Sequence, residues 1–69
     1  MFTTLSEDLT KRELEVLVLL VQGLTYLQIA RQMGLQLTTI NTHVQSIYRK
    51  LGVSSRVQAL MRAIELKLI

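Results

Sequence analysis

Five polar residues in the segment 38–49 are spaced so that they share one side of a helix: Thr38, Asn41, Thr42, Gln45 and Arg49. Asn and Gln can each bond adenine through two hydrogen bonds, and a Thr methyl group can touch the methyl group of thymine. Inside a helix, Thr and Asn cost up to about 0.7 kcal/mol each relative to Ala, so helix stability alone does not explain this composition. The pattern indicates a surface that contacts base edges.

The opposite side of the same segment is apolar. Ile40, Val44, Ile47 and Leu51 recur at the i, i+4, i+7, i+11 spacing of one helical face. This spacing predicts a helix that buries one side and leaves the polar side exposed.

Glycines and capping boxes mark where the helices end and begin. Each of the three glycines follows a periodic apolar segment and precedes an apolar residue, as at helix ends where Gly adopts the left-handed conformation: Gly23, Gly34 and Gly52. Three pairs fit the capping box: Thr10 with Glu13, Thr25 with Gln28, and Ser55 with Gln58. With no Pro and no strand-like alternation, the chain is predicted to be all-α, a four-helix helix-turn-helix bundle with helices at about 11–22, 26–33, 37–51 and 56–66.

The second and third predicted helices form a helix-turn-helix at about 26–45. Only Gly34, Leu35 and Gln36 separate them, and Ala30 provides a small side chain where the two helices cross. An ordinary helical hairpin is the alternative. If the third helix enters the major groove, we expect base contacts from Asn41, Thr42 and Gln45. Backbone phosphate contacts are expected from Thr25, Tyr26, Thr38, Thr39, His43, Ser46, Arg49 and Lys50.

Charge is divided unevenly along the chain. The first 30 residues carry four acidic and two basic side chains, whereas residues 31–69 carry six basic side chains and one acidic side chain. A basic half on a small domain favours a polyanionic partner such as nucleic acid, although a solvated basic surface would give the same count.

Length and composition exclude several other classes. Sixty-nine residues support one small domain, predicted at 9–69 after a flexible tail at 1–8. The chain has no Cys and a single His, His43, without a second imidazole or a paired carboxylate at ligand or triad spacing, so we expect no metal, no cofactor and no enzymatic activity. We expect no membrane span and a cytoplasmic location, because the longest apolar run is far shorter than the roughly 20 residues needed to cross a bilayer.

The fourth predicted helix carries two apolar stripes, although a terminal helix of a monomer needs only one. Ala59, Ala63 and Leu66 form the first stripe. The second stripe is predicted to be a dimer interface and comprises Val57, Leu60, Met61 and Ile64. A broad core-facing helix is the alternative.

Four motifs along the chain resemble the LuxR-type helix-turn-helix domain, also called FixJ- or GerE-like. They are LTKRELEVL, GLTYLQIA, TINTHVQSIYRKLGV and RVQA, and the resemblance runs from Leu9 to Ile69. The segment IYRKLGVSSRVQAL is most similar to the C-terminal domains of MalT-like regulators. The resemblance implies a four-helix output domain of a bacterial transcriptional regulator, whose third helix contacts DNA bases at the positions of Asn41, Thr42 and Gln45.

The resemblance also implies partners, and the sequence departs from the family in places. Expected partners are double-stranded DNA with a two-fold operator, a second copy bound through the fourth helix at least on DNA, an upstream regulatory domain and RNA polymerase. The family often carries Lys at two of the three base-contact positions, usually has Ser or Thr at the position of Gln36, and usually has Gly at the position of Lys67. Because Gln36 is a poor helix cap, its presence costs about 1 kcal/mol.

Two rival interpretations stay open at the level of sequence. A helical protein-interaction module would use the first and fourth helices and leave DNA unbound. Sigma-factor region four has a similar helix-turn-helix, but the RVQAL pattern of the fourth helix argues against it.

The first helix also carries a second apolar face, formed by Leu14, Val18 and Val21, which we predict to dock an upstream domain.

Overall fold

The structure of the protein is a computed structural model, which describes residues 9–69. The tail predicted at 1–8 lies outside the described residues. Within residues 9–69 the chain forms four helices and no strand: α1 (Lys11–Val21), α2 (Tyr26–Met33), α3 (Leu37–Leu51) and α4 (Arg56–Glu65). The predicted all-α architecture is confirmed, and each helix boundary falls within one residue of its expected position.

The predicted capping boxes form completely at α1 and α2. The Thr10 hydroxyl accepts the Glu13 N–H at 3.0 Å, and the Glu13 carboxylate accepts the Thr10 N–H at 3.0 Å. The Thr25 hydroxyl and the Gln28 side chain repeat this exchange at 3.1 and 2.8 Å. Both helices therefore begin where local hydrogen bonds satisfy amides that have no partner within the helix.

The third capping box forms only in part, so that prediction is wrong in one half. The Ser55 hydroxyl accepts the Gln58 N–H at 3.2 Å as expected. The Gln58 side-chain oxygen, however, accepts from the N–H and the hydroxyl of Ser54, at 2.8 and 3.1 Å. Ser54 offers two donors one residue earlier, and these occupy the oxygen that the box assigned to the Ser55 N–H.

All four helices end with the same hydrogen bond. The N–H of the residue after a left-handed residue donates to the carbonyl five positions earlier, with distances of 3.4 Å at Leu24, 2.9 Å at Leu35, 2.9 Å at Val53 and 2.8 Å at Leu68. Glycine is the left-handed residue at the first three ends, as predicted. At the end of α4 this residue is Lys67, with φ of 58°, an unfavourable conformation for a side chain with a Cβ.

The core lies where α3 packs against α1, α2 and α4. Its largest fully buried side chains are Val16, Leu17, Leu20, Ile29, Ile40, Val44, Ile47 and Leu51. The apolar stripe predicted for α3 is thus entirely internal. Ala30 is buried where α2 meets α3, while Met33 and Leu35 pack against the core from its margin.

The second apolar face of α1 is only partly covered. Leu14, Val18 and Val21 are all half-buried, and Leu14 and Val21 pack against the core. Because none of the three is fully buried, the predicted docking of an upstream domain stays a prediction, with a smaller free surface than the sequence indicated.

Candidate nucleic-acid interface

The polar side of α3 faces away from the rest of the fold. The side chains expected to contact bases, Asn41, Thr42 and Gln45, are all exposed, as are Thr38 and Arg49. No other element covers them, so this side of the helix is open to a partner along three turns.

The groups that Thr42 can offer to a partner are limited, because its hydroxyl proton is already donated within the helix. The hydroxyl donates its proton to the Thr38 carbonyl, one turn earlier, at 3.0 Å. A Thr that bonds back to its own helix has no proton left for a ligand. Thr42 therefore offers a methyl group and oxygen lone pairs to its surroundings.

The residues expected to contact phosphate lie at several depths. Thr25 is exposed, while Tyr26, Thr39 and His43 are half-buried at the margins of their helices. Tyr26 and Tyr48 pack against the core. Burial raises the pKa of the Tyr48 hydroxyl, and the neighbouring Tyr26, which shares a hydrogen bond with Tyr48, adds to this rise in pKa.

Two of the expected phosphate contacts are bonded to α1 instead. Ser46 donates its hydroxyl proton to one carboxylate oxygen of Glu13 at 2.7 Å, and the Lys50 ammonium donates to the other at 2.9 Å. Glu13 is buried, and the Lys50 side chain is mostly covered. A buried carboxylate is costly unless it is paired in this way. Ser46 and Lys50 thus anchor α3 to α1 in the unbound fold.

The ionisation of Glu13 reflects this anchor. Burial is the largest influence and raises the pKa of the Glu13 carboxyl. Hydrogen bonds from Lys50, Ser46 and the Thr10 N–H, together with the charge of Lys50, outweigh burial and bring the pKa from 4.5 down to about 2. Glu13 is therefore a carboxylate at neutral pH, as the pairing with Lys50 requires.

The anchor was missed at the level of sequence, although one signal was present. Glu13 stands three, four and seven residues before Val16, Leu17 and Leu20, so it falls on the stripe that α1 buries. A carboxylate at a buried position needs a partner, which the basic half of the chain could supply. In the sequence, Glu13 was assigned only to the capping box of α1, and its pairing with Ser46 and Lys50 was not considered.

The basic half is less available to a polyanion than its charge count indicated. Arg56 donates to the carbonyls of Leu20 and Leu24 at 2.9 and 2.7 Å, closing the end of α1. Arg62 donates to the Leu51 carbonyl at 3.2 Å, closing the end of α3. Cations favour these positions because helix C-termini carry partial negative charge. Of the six basic residues in 31–69, these two and Lys50 donate to other elements of the fold.

Arg49 stays exposed beside the anchor. Its Nη2 donates weakly to the Ser46 hydroxyl at 3.4 Å. The same hydroxyl donates to Glu13, so the guanidinium lies beside the anchor and close to the polar side of α3. An exposed Arg at this place suits a phosphate contact.

The N-terminus of α3 has neither a side-chain cap nor an acidic residue that would offset its partial positive charge. Gln36 precedes the helix and makes no side-chain capping hydrogen bond. Neither α2 nor α3 has an acidic residue in its first turn, in contrast to α1, which has Glu13 there. Uncapped amides at a helix N-terminus favour anions such as phosphate.

The two stripes predicted on α4 differ in exposure, except at Leu60 and Leu66, which are both half-buried. Ala59 and Ala63 are fully buried, whereas three members of the second stripe are exposed, namely Val57, Met61 and Ile64. Leu60 is half-buried between the two. A broad core-facing helix is therefore ruled out, and α4 presents a row of large apolar side chains to solvent.

Within residues 9–69, no helix has the length and apolar character needed to cross a membrane. The same residues contain no group of three or more His, Cys, Asp or Glu side chains arranged to hold a metal ion.

The sequence of this chain is similar to those of known bacterial regulatory proteins. The family model for bacterial regulatory proteins of the luxR family matches residues 7–63. The chain is 44% identical to the transcriptional regulatory protein LiaR of Bacillus subtilis (strain 168) over 57 residues, which cover 83% of this chain and 27% of LiaR. It is 43% identical to the HTH-type transcriptional regulator MalT of Yersinia pestis (strain Pestoides F) over 58 residues, which cover 84% of this chain and 6% of MalT.

A solved structure shares the fold. The crystal structure of the response regulator ChrA, from a heme-sensing two-component system, superimposes with a TM-score of 0.84 at 41% identity, covering 88% of this chain and 30% of the ChrA chain. The chain thus spans less than a third of each of these three proteins.

Proposed function

Because the chain belongs to the luxR family of bacterial regulatory proteins, a family of DNA-binding transcriptional regulators, we propose that it binds a specific duplex with the N-terminal half of α3 in the major groove. A single observation carries this proposal: Asn41, Thr42 and Gln45 stand exposed on the side of α3 opposite its buried stripe. LiaR and MalT are transcriptional regulators, a class that is generally not enzymatic.

The base contacts follow from the chemistry of the three side chains. Asn41 and Gln45 each carry one donor and one acceptor, which match the N6 and N7 edge of adenine in the major groove. Thr42, with its proton given to Thr38, offers its methyl group to the methyl of thymine. We therefore expect half-sites rich in A·T pairs at the positions that these side chains contact.

Phosphate contacts would fix the position of the helix in the groove. We assign them to Thr25, Tyr26, Thr38, Thr39, His43 and Arg49, which flank the exposed side of α3 or lie at the start of α2. Ser46 and Lys50 keep this role only if duplex binding draws them from Glu13. Such contacts supply affinity and orientation without selecting a sequence.

Dimerisation through α4 would place two copies on a two-fold operator. The proposed interface is the exposed stripe of Val57, Leu60, Met61 and Ile64, since large apolar side chains in a row favour burial against a second copy. Two-fold symmetry sets the half-sites about one duplex turn, or about 34 Å, apart.

We also propose that residues 9–69 act as an output domain in the cytoplasm, with an upstream regulatory domain and RNA polymerase as further partners.

A selection of bound duplexes from a random pool tests the class of function. We expect a two-fold consensus, with binding that weakens steeply between about 50 and 200 mM salt as counterions are released. Inserting five base pairs between the half-sites turns them to opposite faces of the duplex, so paired binding should be lost. Recovery of no preferred sequence would refute the proposal.

Two variants test the assignment of residues. Gln45→Ala should cost about 1 to 3 kcal/mol on the cognate duplex and relax the preference at one or two base pairs, whereas Arg49→Ala should weaken binding to all duplexes alike. Gln22→Ala is the matched control, because Gln22 is exposed just after the end of α1 and is not one of the proposed contact residues. Equal losses on cognate and scrambled duplexes for both variants would contradict the assignment.

A helical protein-interaction module is the second candidate, favoured by the exposed apolar stripe of α4. Apolar docking responds little to salt, whereas duplex binding responds strongly. Binding of a protein partner that persists at high salt, without any duplex binding at low salt, would favour this candidate.

A further inference from the structure

A pair of exposed leucines lies where α2 and α3 begin. Leu27 and Leu37 are each 48% exposed. Together with Tyr26, Thr25, Thr38 and Asn41 they line an open depression of about 470 Å³. One exposed leucine on a protein surface is ordinary, but two in a single depression form a local apolar surface.

This surface continues the row of proposed base contacts. Leu37, Asn41 and Gln45 follow one another at intervals of four residues, so they lie along the same side of α3. Leu37 stands four residues, or about 6 Å along the helix axis, before Asn41. Asn41 itself lines the depression, so an occupant of the depression can contact both Asn41 and the leucine pair.

The surroundings of the depression restrict the chemistry of its occupant. Two helix N-termini meet there, neither has an acidic residue in its first turn, and α3 has no side-chain cap. These termini favour an anionic partner, while the leucines favour an apolar one. A DNA duplex meets both demands, because the C5-methyl group of thymine projects into the major groove between two phosphate backbones.

We propose that Leu37, assisted by Leu27, binds thymine C5-methyl groups and so adds a thymine preference beside the base pair that Asn41 contacts. The thymine should lie one to two base pairs from that pair, given about 6 Å between Leu37 and Asn41 along α3 and about 3.4 Å per base step. This inference rests on the proposed function and extends it to residues that carry no hydrogen-bonding group. Specificity then comes partly from shape and methyl burial.

Deoxyuridine substitution tests the proposal, because it removes only the C5-methyl group. Each thymine of the selected duplex is replaced in turn, and affinity is measured by titration. We expect one or two positions next to the Asn41 contact where deoxyuridine weakens binding about fourfold, the value for losing one buried methyl group. Leu37→Ala should weaken binding to the thymine duplex by a similar factor and abolish the difference between thymine and deoxyuridine.

Matched variants separate this contact from a general effect on the fold. Ile69→Ala shortens an apolar side chain of similar exposure, 51%, outside the proposed DNA and dimer surfaces, and should leave the thymine and deoxyuridine affinities unchanged. Leu27→Ala should reduce the difference between the two duplexes without removing it.

The outcomes distinguish this inference from the function on which it rests. If no duplex is bound, the proposed function fails and the inference fails with it. If duplexes are bound in a salt-dependent manner but deoxyuridine equals thymine at every position, the function stands and the inference is overturned. If Leu37→Ala weakens binding equally to both duplexes, Leu37 does not contact the methyl group, and the inference is likewise overturned.

Discussion

The two ends of α3 are held in different ways. In its C-terminal half, Ser46 and Lys50 are bonded to Glu13, and the Leu51 carbonyl accepts from Arg62. At its N-terminus, Gln36 provides no side-chain cap and Leu37 is half exposed. The hydrogen bonds that fix the helix to the fold are thus concentrated at one end, and the other end offers amides, short polar groups and apolar surface.

This difference shows how a small domain can combine a rigid support with an adaptable contact surface. An end anchored by buried charge pairs resists displacement, since breaking such a pair is costly. An end with unsatisfied amides keeps them available to a ligand. We therefore expect substitutions at the C-terminal end to change mainly stability and substitutions at the N-terminal end to change mainly binding.

The largest effect is expected from the carboxylate that anchors α3. Because the pKa of Glu13 is lowered from 4.5 to about 2, its contribution to stability is fully present above pH 4.5 and is lost as the pH falls toward 2. This loss amounts to about 3 kcal/mol between pH 5 and pH 2. Glu13→Gln should remove this pH dependence and lower stability at pH 7 by about 2 to 3 kcal/mol. Urea titrations across this pH range measure both quantities.

Glu15→Gln provides the control for this experiment. Glu15 lies in the same helix and pairs with Arg12 at 3.3 Å, but both side chains are exposed. An exposed pair of this kind contributes less than about 1 kcal/mol. Equal effects of the two substitutions on the pH profile would show that the anchor does not stabilise α3.

The next effect concerns the backbone at the C-terminal end of α3. Gly52 has φ of 70°, and a Cβ placed there meets no atom within 4 Å. Gly52→Ala should therefore destabilise the fold by about 1 kcal/mol, because backbone strain of about 1 to 2 kcal/mol outweighs the lower freedom of the unfolded chain with alanine. Gly52→Asn should cost less, since Asn tolerates the left-handed conformation. Thermal unfolding compares the three proteins, and an equal cost for Ala and Asn would contradict the role assigned to φ.

At the N-terminal end a stabilising change is expected. Gln36→Thr adds a hydroxyl that can accept an N–H of the first turn and should raise the free energy of unfolding by about 1 kcal/mol. Gln36→Ala should leave stability unchanged, because Gln36 makes no capping hydrogen bond. Gln36→Asp should stabilise the free protein in a similar way and weaken duplex binding, because its charge meets phosphate. A destabilised Gln36→Thr protein would show that this end is satisfied in some other manner.

The sequence allowed the local features of the fold to be predicted, and these lie at both ends of α3. The buried stripe from Ile40 to Leu51 and the glycine at 52 follow from periodicity and backbone geometry over a few residues. So does the poor cap at Gln36, which the structure leaves without a side-chain hydrogen bond. Such signals are contained within one or two helical turns, where spacing and geometry are fixed.

Long-range hydrogen bonds could not be predicted in the same way. Ser46 and Lys50 lie 33 and 37 residues from Glu13, and Arg56 lies 36 and 32 residues from its two acceptor carbonyls. Pairing of this kind depends on how the helices pack. Counting charges along the chain therefore overestimated the basic surface left for a polyanion, because it treated Lys50, Arg56 and Arg62 as solvated.

The smallest effect on stability is expected at the end of α4. This helix keeps the same terminal hydrogen bond as α3, although its left-handed residue is not glycine. Leu68 donates to the Ala63 carbonyl at 2.8 Å, as Val53 donates to Tyr48 at the end of α3. Lys67 nevertheless adopts φ of 58° where α3 has glycine. Lys67→Gly relieves strain of about 1 to 2 kcal/mol but adds freedom to the unfolded chain, leaving a net gain of about 0.5 kcal/mol.

Lys67→Ala distinguishes backbone strain from the loss of a positive charge. Alanine keeps the Cβ and hence the strain, so its stability should equal that of the unmodified protein, whereas the glycine variant should unfold at a higher urea concentration. If both variants are stabilised equally, removal of the lysine charge is responsible. The hydrogen bond would then hold the helix end whatever residue occupies the left-handed position. The loss of stability expected for Gly52→Ala, at the anchored end of α3, would have to be revised downward.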